Sequence, residues 1–234
     1  MRVLAIASRK GGSGKTTLSG HIAVEAERQG IGPVAIMDID PQGSLAEWWN
    51  ARARPTPLYA QTSLATLAAD IERLANASVE LVVIDTPPAI TETIECVVRV
   101  ADLVLVPTRP SPHDLRSLGA TVDLVERIGK PLAFVLNGAT QRARITGEAV
   151  AALAAHGPLA PTIIHQRVDF AASMIDGRTV SEVPGAERAA EEIGALWRYL
   201  HLRLFGGVRG YGTVAGRSLP VAAHMPQILA REAS

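Results

Sequence analysis

Short unbroken apolar runs alternate along this chain with stretches in which apolar residues recur every three or four positions. The runs are Val3–Ala7, Val34–Met37, Leu81–Ile84, Leu103–Val106 and Leu132–Leu136, with a further strand expected near Thr162–Ile164. A strand covered on one face alternates apolar and polar residues, whereas one covered on both reads as continuous hydrophobicity. Between the runs, Leu18–Gln29, Ser44–Ala53, Leu64–Asn76, Thr91–Val100, Asp114–Ile128 and Gly147–His156 carry helical spacing. This alternation predicts an α/β fold, a mostly parallel twisted sheet with helices on both faces. A last helix, roughly Ala186–Leu204, places Ile193, Leu196, Trp197, Leu200 and Leu204 on one stripe. Glu187, Glu191 and Glu192 on its other face would be repelled by an anionic bilayer, so the stripe is expected to pack on the sheet. Five glycines fall between Gly206 and Gly216, and the chain is expected to divide into one domain over 1–205 and a flexible tail over 206–234.

The first apolar run opens onto Lys10-Gly11-Gly12-Ser13-Gly14-Lys15-Thr16-Thr17 and then a helix. Strand, glycine-rich loop, helix is the context in which such a loop cradles phosphate. The glycines let successive backbone N–H groups turn inward as an anion nest, and the helix start adds partial positive charge. Gly11, Gly12, Ser13, Gly14, Lys15, Thr16 and Thr17 are therefore candidate phosphate contacts. Lys15 would reach the β- and γ-phosphates and the Thr16 hydroxyl would ligate Mg2+. Two other runs end in acids. In Asp38-Ile39-Asp40-Pro41-Gln42 the two carboxylates lie on one side of an extended chain, although alone the segment reads more simply as a strand-to-turn junction. Leu81-Val82-Val83-Ile84-Asp85-Thr86-Pro87-Pro88 ends in an aspartate able to accept a hydrogen bond from a Mg2+-bound water.

The loop departs from the ordinary pattern, because Arg9 stands where a glycine is usual and a second lysine, Lys10, follows it. In this it resembles the deviant P-loop of the ParA/MinD family of ATPases. The endings at Asp38–Gln42 and Asp85–Pro88 are similar to that family's other motifs. The resemblance covers residues 1 to about 205, a ParA-like P-loop ATPase domain. It implies ATP and Mg2+ as cofactors and an ATP-sandwich homodimer in which Lys10 reaches the partner's phosphates. It further implies that Asp40 orients the attacking water, that Asp38 helps set the Mg2+ and lysine network, and that Asp85 serves the metal. The loop after Asp85 would sense the γ-phosphate, and Asn137 would approach the adenine. Val106–Leu115 resembles a segment of the small partition ATPases that lack an N-terminal DNA-reading domain. Relatives bind DNA without sequence preference through basic residues, for which Arg142, Arg144, Arg167 and Arg178 are the candidates. Ordinary solvated or ion-paired arginines are the alternative reading of these four.

The activity so implied is slow ATP hydrolysis, stimulated by DNA and by a ParB-like or cargo-adaptor protein. It would drive segregation or positioning of a plasmid, chromosome region or protein assembly. A MinD-like membrane-surface ATPase is the alternative, but Met225–Arg231 is short and weakly basic for a membrane helix. Composition narrows the field further. Zero formal net charge argues against a surface basic all over. A single cysteine, Cys96, leaves no disulfide framework or intrachain cysteine cluster, against an iron–sulfur carrier. His113, His156 and His165 lack metal-ligand spacing. Only three lysines stand against twenty arginines, and two of the three lie in the glycine loop. An immediate core strand, and no run near the ~18–20 apolar residues of a membrane span, predict a cytoplasmic chain, nucleoid-associated in its ATP form, without integral membrane contact.

Overall fold

In a computed structural model, residues 1–88 and 92–206 are described. The chain runs β1 (Arg2–Ile6), α1 (Lys15–Arg28), β2 (Val34–Asp38), α2 (Ser44–Asn50), β3 (Leu58–Tyr59), α3 (Leu67–Asn76), β4 (Leu81–Asp85) and α4 (Glu92–Val100). It continues through β5 (Leu103–Thr108), α5 (Pro112–Arg116), α6 (Gly119–Ile128), β6 (Leu132–Ala139), α7 (Arg144–His156), β7 (Leu159–His165), α8 (Val168–Met174) and α9 (Glu187–Phe205), with a 3-10 turn at Val180–Glu182 before α9. The strands form one seven-stranded sheet in the order β3-β2-β4-β1-β5-β6-β7. Every pairing is parallel. Parallel strands share one carboxyl edge, which is where open α/β sheets bind ligands.

The continuous hydrophobicity of the strands follows from two apolar layers. Leu4 and Ile6 of β1 face Leu18 and Ile22 of α1, Trp48 of α2 and Trp197 and Leu200 of α9. Val3, Ala5 and the following Ala7 face the opposite way, into a second core with Leu74 of α3, Val97 of α4, Val125 of α6 and Leu153 of α7. The predicted stripe of the last helix is buried at Ile193, Leu196, Trp197, Leu200 and Leu204, so α9 packs on the sheet.

Several boundaries differ from the sequence expectation, each for a local reason. The first helix begins at Lys15, three residues early, because the glycine loop supplies its N-terminus. The expected helix Asp114–Ile128 is two helices. Ser111 caps the first by accepting from the Asp114 N–H at 3.1 Å, with Pro112 at its first turn. It ends where the Ser117 hydroxyl donates to the Asp114 carbonyl at 2.8 Å, and α6 restarts at Gly119. A serine that competes for backbone carbonyls, followed by a helix-poor glycine, explains the break. The edge strand β3 and helix α8 are too short to show a period. The segment Gly207–Ser234, most of the expected tail, lies outside the described residues, as do Ala89, Ile90 and Thr91. None of the described helices is long and apolar enough to cross a membrane.

Helix α1 is buried almost all round and carries a buried imidazole, His21. The ring's Nδ1 donates to the Thr17 carbonyl at 2.7 Å, and its edge meets the Phe170 ring of α8. Burial, the largest influence, lowers the His21 pKa from 6.5 to about 4, with the Thr17 carbonyl opposing. Between those values the unfolded chain binds the proton that the native chain refuses. His21's contribution is therefore fully present above pH 6.5 and is lost as pH falls toward 4. The expected loss is about 3 kcal/mol. Urea unfolding of wild type and His21→Asn at pH 7.5, 5.5 and 4.5 checks this, since the variant should lack that part of the acid slope.

Candidate functional site

The carboxyl edge of β1, β2 and β4 gathers the glycine loop and three acids. Parallel register sets Ile6 beside Asp85, and Asp85 beside Asp38. Asp85 has no exposed surface, and its carboxylate accepts from Thr16 Oγ1 at 2.6 Å and from the Thr86 N–H at 3.1 Å. The Thr86 hydroxyl in turn donates to the Ile6 carbonyl at 2.8 Å, tying β4 to β1 beneath the loop. Burial pushes Asp85 up to about 7. The neighbouring Asp38 charge adds to the rise, and the Thr16 hydroxyl and Lys15 oppose it. Lys15, also buried, is lowered chiefly by desolvation, with Asp85 and Asp40 pulling the other way.

The loop's own geometry sets where its side chains stand. Gly14, the residue before α1, has φ of 93°, a left-handed conformation that favours glycine. Asn137 Nδ2 occupies the space that a Cβ on Gly14 would need, and it donates to the Ser13 carbonyl at 2.6 Å. Asn137 thus braces the loop from β6. The first turn of α1 contains no acid, leaving its N–H groups and dipole free for an anion. Ser13 Oγ is buried with no hydrogen-bond partner among the described residues. Lys10 is exposed, and its ammonium has no hydrogen bond or ion pair among the described residues.

Asp38 and Asp40 divide in role. One oxygen of Asp38 accepts from the Leu45 and Ala46 N–H groups at 3.0 and 3.1 Å, capping α2, and the other accepts from the Asp40 N–H at 3.0 Å. Burial raises the Asp38 pKa while these N–H groups lower it. Its carboxylate is committed to backbone, so it shapes the site by holding the turn that carries Asp40. Among the described residues the Asp40 carboxylate accepts only from the Gln42 N–H, at 3.0 Å, and keeps its remaining lone pairs for other contacts.

Among the described residues, no cluster of three or more His, Cys, Asp or Glu could cage a metal ion. Mg2+ needs no such cage, because it keeps several waters and takes one or two protein oxygens plus phosphates. Thr16 Oγ1 and the Asp85 carboxylate are an oxygen pair of that kind. With the acid-free helix start and the unpartnered Ser13 hydroxyl beside them, the residues present fit a Mg2+–polyphosphate group.

The four candidate DNA-binding arginines do not form one cluster of free charge. Arg142 and Arg144 lie at the β6–α7 turn, Arg167 at the start of α8 and Arg178 beyond its end. Arg144 pairs with Glu148 at 3.0 Å, Arg178 with Asp176 at 2.6 Å, and Arg167 with Glu192 at 2.7 Å. Glu192 also takes His165 Nδ1 at 2.8 Å, so Arg167 belongs to a triad that fixes the end of β7 on α9. Arg142 alone of the four has no ion pair among the described residues. One residue given no role from sequence lies against the loop, Arg109, beside Gly12 and Gly138. Its only sequence signal was its place in the proline-rich stretch after β5.

Comparison with known proteins places this geometry among relatives. The family model for the CobQ/CobB/MinD/ParA nucleotide binding domain matches residues 4–180. The chain is 30% identical over 203 residues to Maintenance of carboxysome distribution protein A from Halothiobacillus neapolitanus, covering 82% of this chain and 93% of that one. Among solved structures it resembles the septum site-determining protein MinD complexed with Mg-ADP from Pyrococcus horikoshii OT3, with a TM-score of 0.72 at 16% identity over 91% of this chain and 99% of that one. It also resembles an ATP complex of McdA from Cyanothece, with a TM-score of 0.70 at 18% identity over 86% and 96% of the two chains.

A carboxylate whose native pKa lies above its unfolded value binds its proton more tightly when folded. The nucleotide-free protein should therefore lose stability as pH rises from about 4 to 7, through Asp85. Asp85→Asn, in metal chelator at pH 8, should be more stable than wild type by about 2–4 kcal/mol in urea unfolding. The same variant should lose Mg2+-dependent nucleotide binding, which calorimetric titration would read. Equal stability of the two at pH 8 would rule out the buried-charge account.

Proposed function

The chain belongs to the CobQ/CobB/MinD/ParA family of nucleotide-binding domains, as a ParA/MinD-type ATPase, and we propose that it is a partner-stimulated switch that holds ATP between two copies of itself. The supporting observation is the contrast between the two lysines of the loop. Lys15 is buried at the helix start, within reach of the Asp85 charge, while Lys10 is exposed, its ammonium without a hydrogen bond or ion pair among the described residues. An exposed lysine without a partner among the described residues suits a site shared across a dimer.

In this reading Gly11, Gly12, Ser13, Gly14, Lys15, Thr16 and Thr17 bind the phosphates. Thr16 and Asp85, hydrogen-bonded to each other, would hold Mg2+, with Asp38 placing the turn that carries Asp40. Mg2+, when bound, supplies neutralisation of the developing phosphate charge. Asp40 accepts a hydrogen bond from the attacking water and orients it in line with the γ-phosphate, and Lys10 of each subunit stabilises charge on the other's nucleotide. Asn137, which braces the loop at the Ser13 carbonyl, would approach the adenine in this reading. ATP favours the dimer over the monomer by its differential affinity, and hydrolysis removes that bias.

The dimer, in the same proposal, binds DNA through phosphate contacts, for which Arg142 and Arg144 at one turn are better placed than the Glu192-bound Arg167. A cargo-bound adaptor, ParB-like in role, stimulates hydrolysis and releases the dimer from the nucleoid. Likeness to a carboxysome-distribution protein over most of both chains favours a protein assembly as the cargo. Residues 1–205 form the switch, with 206–234 as an appended segment.

Binding to a non-specific duplex, measured with ATP, ADP or no nucleotide at two salt concentrations, tests this reading. ATP-dependent binding that falls steeply with salt is expected, in keeping with counterion release. Lys10→Ala should abolish it and Asp40→Ala should retain or prolong it. Binding indifferent to nucleotide, or kept by Lys10→Ala, would overturn the shared-site switch, and no binding in any state would remove DNA from the proposal.

A further inference from the structure

Arg109 stands on a stiff platform at the end of β5. Thr108 before it is buried, and Pro107, Pro110 and Pro112 restrict the backbone on either side. The Ser111 N–H donates to the Arg109 carbonyl at 2.8 Å, and the Ser111 hydroxyl caps α5 two residues on. From this base the side chain runs over two glycines, both left-handed, Gly138 with φ of 65° and Gly12 with φ of 72°. Its Cγ and Nε lie 3.7 Å from where a Cβ on Gly138 would stand, and its two terminal nitrogens lie 3.6 and 3.7 Å from the same point on Gly12. Gly138 sits at an irregularity in the β6–β7 pairing between Asn137 and Ala139. One distortion of β6 therefore adjoins both the Asn137 brace and the trough for the guanidinium.

The guanidinium is parked against the phosphate loop with neither a carboxylate nor a hydrogen-bond acceptor among the described residues. Several other arginines are held by carboxylates, as in Arg52–Glu182, Arg167–Glu192 and Arg144–Glu148. A planar five-donor cation beside a loop of inward N–H groups and two lysines gathers positive charge that only an anion relieves. We propose that Arg109 contacts the polyphosphate of the nucleotide, as a further binding residue of the site. This deepens the ATP-site reading above and rests on it. Guanidinium–phosphate contacts are charge-assisted and can be bidentate, which a lysine cannot reproduce.

Calorimetric titration of ATP and of pyrophosphate, each with Mg2+, tests the assignment on wild type, Arg109→Ala, Arg109→Lys and Lys15→Ala. Arg109→Ala should bind both anions about tenfold more weakly, with partial recovery in Arg109→Lys. Its thermal unfolding without ligand should match wild type, because the side chain is exposed and unpaired. Unchanged affinity for both anions would overturn the proposal. So would loss confined to ATP, which would put the guanidinium on the base or ribose, and so would a lowered melting temperature in the free protein, which would make its role structural. Wild type that binds neither anion, or binding that survives Lys15→Ala, would overturn the ATP-site reading and this inference together. Arg109→Ala that binds like wild type while Lys15→Ala does not would sink this inference alone.

Discussion

Asp85 is a carboxylate with no exposed surface, and the arrangement around it follows from keeping it there. An unpaired buried charge is strongly unfavourable, so such a group either finds donors or takes up a proton. Here it has the Thr16 hydroxyl, one N–H and the nearby Lys15 ammonium, and still its pKa rises to about 7. The protein alone does not satisfy this acid fully, and the missing complement is positive charge. That shortfall sits next to a helix start empty of acids and a loop of glycines, which together lack negative charge. A divalent cation and a polyphosphate answer the two deficits at once.

The surrounding fold makes the loop and the acids one rigid unit. Asp38 joins the carboxyl edge of β2 to the first turn of α2 through two N–H bonds and holds the Asp40 N–H with a third. Trp48 of α2 packs against Gly20 of α1, where a side chain would meet the ring. Trp48 also donates to the Arg178 carbonyl at 3.1 Å, and Arg52 over its ring pairs with buried Glu182 at 2.9 Å. Breaking such a buried pair by removing one partner is far more harmful than its net contribution suggests. A bonded path thus runs from the acid edge through α2 to the 3-10 turn beside α9. On the other flank, Asn137 fastens β6 to the loop through the Ser13 carbonyl, and the Arg109 side chain lies over Gly12.

The division of cations is uneven in a telling way. Arginine serves the structural pairs, because its fork suits carboxylates and carbonyls that stay put. Two of the three lysines stand in the loop, and the third, Lys130, donates to the Ala101 carbonyl at 2.9 Å. Arg109 lies in the loop's neighbourhood without a hydrogen-bond or ion-pair partner for its side chain among the described residues. The paired state of Arg144, Arg167 and Arg178 bears on nucleic-acid contact, since an exposed pair such as Arg144–Glu148 exchanges partners at small cost. Arg167, held with His165 on Glu192, exchanges far less readily.

The amino-acid sequence by itself determined the layer architecture, because strands covered on both faces must be apolar throughout and the helices between them must carry a stripe. It also determined the loop and the two acid-ended strands, since glycine order, lysine and strand-terminal aspartate are local features. Helix ends and short elements were less legible. Ser117 and Gly119 split a periodic stretch, and α8 is too brief to show a period at all. Only tertiary structure decided how the acids divide their roles. Asp38 and Asp40 look equivalent two residues apart, yet one caps α2 and the other stays available, a difference made by where α2 returns to the edge. Tertiary structure also decided which arginines are spoken for, and it laid Arg109 on Gly12 and Gly138 from strands that neighbour the loop only in the folded sheet. Pairings across such distances in sequence leave no periodic trace, because they are set by strand order and register.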